Sequence, residues 1–354
     1  LTTLYRGDQI IRLFTDDIDM AHRYVPEEYE FIPYWEKPYY SNHFKVGIIG
    51  GDKLRNPREE AQRLIDLKRY FDIMFIETFE VHSYHERLFK IICDVPNIYY
   101  MMPGKTNYNM ESRSINNNWF ISTVTKIYKQ LPFKLDELTP YIEKPYYFDA
   151  LLGIQKHHRN FVYNNIMSYN KKNKFIVSYR SEVGSSSWLD DNDPNIDYCG
   201  DNFVVSKDSG LYSKYYGIDV WASQIIPITV FNNSAYSIIA ETNYFNNFNF
   251  ITEKTAKPLL AKRLFVVIAG QYFLRTLKEF GFKTFDGIID ESYDLEPTKG
   301  KRWQMAWDQI DWLCEQNQLE IYDKIKDITE HNFNIMMSTN FESKVFEEML
   351  KLIS

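Results

Sequence analysis

Short apolar runs alternate with amphipathic stretches through the first half of the chain. Residues 44–50 (FKVGIIG) are apolar enough for a buried strand, 58–70 (REEAQRLIDLKRY) carry helical spacing, and 71–77 (FDIMFIE) form a second apolar run. A helical stretch at 86–93 and a third run at 97–102 (NIYYMM) continue the series. Strands alternating with helices of this length predict a parallel α/β sheet. Gly50-Gly51 closes the first run with a tight turn, but the spacing is not GxGxxG, so a dinucleotide fingerprint is absent.

The pattern resumes at 175–180 (FIVSYR), after a basic, polar stretch at 170–174. Residues 181–201, rich in Ser, Asp, Asn and Gly, make a loop longer than compact domains usually carry, and read equally as a lid or as an idle excursion. Residues 236–270 (YSIIAETNYFNNFNFITEKTAKPLLAKRLFVVIAG) then read as a strand ending in Glu241, a polar loop, a helix opening near Thr252, and a strand ending at Gly270. Helical spacing returns at 272–280 and from about residue 302 onward, and 344–353 (KVFEEMLKLI) has one apolar face. The expected organisation is an N-terminal α/β lobe over 1–170, a second over 171–330, and a C-terminal helix within 331–354 that packs back on the first lobe. Two Rossmann-like lobes facing across a cleft would gather strand carboxyl ends there, where open α/β sheets bind ligands.

At 354 residues the chain has room for about two domains of ordinary size. Hydrophobic residues at 44% and charged residues at 25% give an ordinary globular balance. Aromatic content departs from it: 27 Tyr, 25 Phe and 7 Trp supply rings suited to clefts that stack bases or sugars. An AT-rich coding sequence, which inflates Tyr, Phe, Asn, Ile and Lys together, accounts for this equally well.

Lys and Arg number 41 against 48 Asp and Glu, so no global basic field drives nonspecific binding and nucleic acid is not an expected partner. Cys93, Cys199 and Cys314 lie far apart without metal-ligand spacing, and read as reduced buried thiols of a cytoplasmic protein. The longest apolar run, 264–269, is far below the ~20 residues that span a bilayer, and no basic-then-apolar leader opens the chain. Leu1 rather than Met stands first, which leaves room for a removed leader or anchor.

The helix opening at Phe250-Ile251-Thr252-Glu253-Lys254 carries the most specific chemistry. A helix start presents unpaired N–H groups and the positive end of the peptide dipoles, which favours an anion. Thr252 is a candidate N-cap, Lys254 adds a full positive charge, and Glu253 could accept from ribose hydroxyls or from the N–H edge of a base. For the tripeptide alone, ordinary capping with an acid in the first turn is the simpler account. Pro258 divides two possibilities: a helix starting at Thr252 places it in the interior, whereas a start near Thr255 makes it harmless.

The same residues carry a resemblance. Glu241, then Phe250-Ile251-Thr252-Glu253-Lys254, then 264–270 (LFVVIAG), resembles the donor-binding motif of the α-1,3-fucosyltransferase family. That motif runs from a Glu-Asn-Ser loop to a Tyr-x-Thr-Glu-Lys helix start and a Pro-Val-Val-x-Gly strand end. Residues 148–153 (FDALLG), 156–159 (KHHR) and 178–180 (SYR) are similar to the interdomain region of related glycosyltransferases, including viral and phage-encoded ones, and 281–285 and 290–294 fit the same group. The resemblance covers roughly residues 148–294.

The resemblance implies a two-lobed GT-B fold, a nucleotide-sugar cosubstrate in the C-terminal lobe, a glycan acceptor, and inverting transfer without an obligate metal. Carried over by position, Lys254 contacts the diphosphate, Glu253 the ribose, Glu241 holds the loop or touches the sugar, and Phe250 stacks on the base. Arg180 is the candidate for a second phosphate contact, and Arg159 reaches the cleft or packs between lobes. Three departures leave base and sugar open: a loop two residues longer before Thr252, Asn249 for the common Asp, and Thr242-Asn243 for Asn-Ser.

Transfer to a hydroxyl needs stabilisation of the departing diphosphate, assigned to Arg180, Lys254 and the helix end, and a base near the acceptor oxygen. Glu77, ending the run 71–77, is the leading base, with Glu80 and Asp16-Asp17-Asp19 behind it. The Asp cluster reads as a solvated turn ahead of a metal site, and His82 with His85 as structural histidines ahead of ligands; a divalent metal stays open. Transfer to a modified DNA base and a non-catalytic carbohydrate-binding role are the rival readings.

Overall fold

The computed structural model describes residues 2–35, 43–51, 53–54, 56–78, 83–106, 113–180, 203–205 and 213–354. The chain is a mixed α/β protein with largely parallel sheets, dividing into one compact unit of residues 1–122 with 340–354 and another of residues 123–339. Among the described residues no helix is long and apolar enough to cross a membrane.

The first unit contains β1 (Leu4–Arg6), β2 (Gln9–Thr15), α1 (Ile18–Ala21), β3 (Phe31–Pro33), β4 (Phe44–Gly50), α2 (Pro57–Lys68), β5 (Ile73–Glu77), α3 (Ser83–Ile92), β6 (Ile98–Met102), β7 (Gly104–Thr106) and β8 (Ser114–Asn116). Its sheet runs β1-β2-β4-β5-β6-β8, with β3 beside the last residues of β2. Only β1 is antiparallel to its neighbour. Strands buried on both faces need continuous apolar side chains, which is why the runs 44–50 and 71–77 are legible. Asn56 caps α2 through the N–H of Arg58, and Pro57 takes the first-turn position where its missing N–H costs nothing. The C-terminal helix, Phe341–Ile353, lays Val345, Phe346, Met349 and Ile353 on the core of this unit, with Val46, Ile48, Phe75 and Met101.

The second unit begins within α4 (Trp119–Gln130) and continues through α5 (Pro132–Asp136), β9 (Tyr146–Ile154), α6 (His157–Ser168) and β10 (Phe175–Arg180). A small antiparallel sheet follows, β11 (Phe203–Val205), β12 (Ser213–Tyr215) and β13 (Ile218–Val220). Then come α7 (Ile228–Asn233), β14 (Ser234–Ala240), β15 (Phe248–Phe250), α8 (Glu253–Leu260), β16 (Phe265–Ile268), α9 (Phe273–Glu279), α10 (Lys299–Leu313) and α11 (Gln318–Ser338). The main sheet runs β10-β9-β14-β16 with every pairing parallel.

Residues 123–170, assigned to the first lobe from sequence, therefore lie in the second unit. The reason is β9, which pairs with β10 on one side and β14 on the other and is central to that sheet. The chain leaves β9 through α6 to β10 on one side and leaves β14 through α8 to β16 on the other. The crevice beyond the carboxyl ends of β9 and β14 is thus a topological switch point, the place where open α/β sheets bind ligands.

Candidate functional site

Glu241 follows β14 directly and organises this crevice. Its Oε1 accepts from the Thr252 N–H (3.0 Å) and the Thr255 hydroxyl (2.6 Å), and its Oε2 from the Thr242 N–H (2.8 Å) and the Thr252 hydroxyl (2.7 Å). A carboxylate so engaged is a clamp. It ties the strand end to the first turn of α8, the loop-holding one of the two roles the resemblance implied. Thr252 is the N-cap and Glu253 the first helical residue, so the helix starts early and Pro258 falls inside it. The bond lost there is the one the Lys254 carbonyl would accept, and α8 ends soon after, at Leu260.

Basic groups converge on the same crevice. Lys254 places its ammonium 2.6 Å from Glu253 Oε1 and 3.1 Å from the Thr242 hydroxyl, with its side chain 22% exposed. Burial works to raise the Glu253 carboxyl, but Lys254 and Lys257 outweigh it and hold the group below the usual carboxylate range. Lys156 Nζ donates to the Thr242 carbonyl at 2.7 Å.

Arg159 is 4% exposed; it donates from Nη1 to the Ile154 carbonyl at 2.8 Å, and its Nε has no hydrogen-bond partner among the described residues. Burial lowers its affinity for the proton, against the pull of Glu241 and Glu253. A buried guanidinium with an unspent N–H, beside two helix starts, points to an anionic ligand.

His158 is fully buried, and its Nε2 lies 2.5 Å from the Glu241 carbonyl oxygen. A carbonyl only accepts, so Nε2 carries the proton. Burial, helped by Arg159, pushes the ring pKa down to about 3, leaving it neutral and its Nδ1 a bare acceptor without a partner among the described residues.

The loop before α8 is fixed from behind. Arg302 donates to the carbonyls of Ala269 (3.2 Å) and Glu296 (2.6 Å) and to Asn246 Oδ1 (2.9 Å). Gly270 must lack a side chain, because a Cβ there would stand 2.4 Å from the Phe245 carbonyl oxygen. Asn249 donates to the Tyr272 carbonyl and the Thr276 hydroxyl. Asp294 accepts from the N–H groups of Leu274 and Arg275, and Glu291 from Thr284 and Phe285, so the acids of 290–294 hold the fold.

Phe250 is 1% exposed, its ring buried in the protein, so it offers no open face for the base that the sequence assigned to it. Arg180 ends β10 with its backbone paired to Ile154; its side chain, Glu80, His82, Cys199 and the loop 181–201 lie outside the described residues.

In the first unit Glu77 ends β5 as a buried acid, and its Oε1 accepts from the Tyr24 hydroxyl at 2.9 Å. Burial and then Glu77 raise the Tyr24 phenol well above its ordinary value. Asp16 accepts from the Gly50 N–H and Asp17 caps α1, so those acids serve the backbone. His85 is buried against Tyr84 and Phe89. Among the described residues no three His, Cys, Asp or Glu side chains gather as a metal site would require.

His158, Tyr244 and Trp303 stand together beside Glu241, and no sequence signal marks Tyr244 or Trp303 as functional; His158 falls in the run 156–159 and Asn243 in the Thr242-Asn243 departure, both parts of the resemblance. The chain matches no protein-family model, and comparison with curated proteins and with solved structures gives no match.

Proposed function

We propose that this chain is an inverting glycosyltransferase that moves a sugar from a nucleotide diphosphate to a glycan hydroxyl. The observation that supports the reading best is the convergence of Arg159, Lys254 and the start of α8 on the crevice beyond β9 and β14, with the Arg159 Nε unspent. In this reading the diphosphate accepts from Lys254, Arg159 and the first N–H groups of α8, and Glu253 accepts from the ribose. Arg180, at the end of β10, is assigned to the second phosphate, and the GT-B arrangement of two lobes across a cleft is part of the proposal.

As the acceptor oxygen attacks the anomeric carbon, the bond to the diphosphate breaks and charge develops on its oxygens. Fixed donors there lower the barrier without bound metal being required by the scheme. The proton of the attacking hydroxyl goes to a carboxylate of the first unit, for which Glu77 is the candidate and Tyr24 its positioning residue. Incubation with a panel of GDP- and UDP-sugars and glycan acceptors tests this. Transfer or slow donor hydrolysis is expected in the wild type, with Glu77→Gln reduced at least about 100-fold. Nucleotide binding without turnover on any donor would leave a carbohydrate-binding role instead.

A further inference from the structure

Three buried polar atoms without partners among the described residues belong to residues next to Tyr244, two of them by ring contact and one by chain position, in the loop region after Glu241. They are Nδ1 of His158, Nδ2 of Asn243 and Nε1 of Trp303, on residues 0%, 5% and 7% exposed. The His158 and Trp303 rings stand 4.8 and 5.5 Å from the Tyr244 ring, and Asn243 precedes it in the chain. Phe245 stacks on Tyr244 at 4.8 Å and is 46% exposed, so this aromatic pair leads from the surface to the His158 and Trp303 rings.

Native interiors rarely leave such groups unsatisfied, and each costs stability until something fills it. Nδ1 of the neutral histidine can only accept, whereas the indole and amide N–H groups can only donate. One functional group answers both kinds at once: a hydroxyl. A ligand with several hydroxyls and an apolar C–H face, which can lie on an exposed ring, answers the whole set. The loop is preorganised for it, since Asn243 Oδ1 accepts from the Phe245 N–H and Arg302 pins Asn246.

We infer that Tyr244, Phe245, Asn243, His158 and Trp303 form the subsite for the sugar ring of the donor, with Phe245 as platform and the orphaned atoms as hydroxyl partners. The inference rests on the nucleotide-sugar reading above and adds where the sugar goes.

Calorimetry with GDP and UDP, and with GDP-fucose, GDP-mannose, UDP-glucose and UDP-N-acetylglucosamine, tests it in the full chain. At least one sugar nucleotide is expected to bind more tightly than its parent diphosphate. Trp303→Phe, which keeps the ring and removes the donor, and the surface change Phe245→Ala should each weaken that sugar nucleotide by about tenfold while leaving the parent diphosphate unchanged. Equal weakening of both ligands, or no change in either, overturns the subsite and leaves the nucleotide site standing; the orphaned atoms then hold water.

If the wild type binds no nucleotide, the nucleotide reading fails by itself. Saturation-transfer NMR with free fucose, mannose, glucose and N-acetylglucosamine then decides the subsite. A sugar signal present in the wild type and abolished in Trp303→Phe supports it. No signal in the wild type, or one that Trp303→Phe leaves unchanged, overturns it.

Discussion

The second unit carries two buried polar clusters on one parallel sheet, and they are built on opposite terms. Toward the amino ends of the strands, Arg263 donates from every guanidinium nitrogen: to Ser237, to the carbonyls of Phe231 and Ser234, to the Ser234 hydroxyl, and to Asp149 at 2.6 Å. Ser234 and Ser237 also donate to the same Asp149 oxygen. Beyond the carboxyl ends, Glu241 is as fully engaged, yet Arg159, His158 and Asn243 beside it keep atoms without partners among the described residues. A closed network holds strands together; an open one, placed at a switch point and next to a helix start, is where the proposed function puts its ligand.

Breaking the closed cluster should produce the largest effect. Arg263→Ala strands the Asp149 carboxylate in the interior and is expected to cost about 3–5 kcal/mol of stability by denaturant titration. A loss below about 1 kcal/mol would show that the amino-end cluster is not the lock described.

The open cluster predicts a pH effect next in size. Folded His158 titrates at about 3 against an ordinary 6.5, so the unfolded chain takes up a proton that the native state refuses. Its contribution is fully present above the unfolded value and declines as the pH falls toward 3, by about 1.4 kcal/mol per pH unit within that window. Denaturant midpoints at pH 7 and pH 5 should converge in His158→Gln relative to the wild type, and parallel behaviour would mean that the ring takes up its proton as readily in the fold as in the unfolded chain.

Lys254→Ala should change stability least, by about 1–2 kcal/mol, because it takes one cation from the buried Glu253 carboxylate while Lys257 remains and Glu241 still holds the helix start. A larger loss on thermal melting would make Lys254 a structural residue and blunt the contrast between the clusters.

Much of both parallel sheets was legible because burial on both faces leaves an unbroken apolar signature. The runs 44–50, 71–77 and 264–269 became β4, β5 and β16, and Thr252 capped a helix as its side-chain chemistry predicts. Placement of β9 was not legible. Its apolar run looks like any strand, and only pairing with β10 and β14 assigns it to the second unit.

The Asp149–Arg263 pair joins positions far apart in the chain, and no local pattern announces such a contact. Phe250 shows the limit of positional carry-over, since a motif fixes which residue stands at a place but not whether its ring is covered. The state of His158 was hidden because its tautomer is set by a carbonyl far away in the chain.

The claim that the carboxyl-end cluster is a nucleotide site is tested most directly by titrating GDP and UDP into the wild type, Lys254→Ala and Lys174→Ala. Lys174 serves as the control because it precedes β10, at the amino end of the same sheet. The wild type and Lys174→Ala should bind at least one nucleotide with equal affinity, and Lys254→Ala should bind it at least about tenfold more weakly. Equal affinity in all three proteins, or no binding by the wild type, would contradict the account.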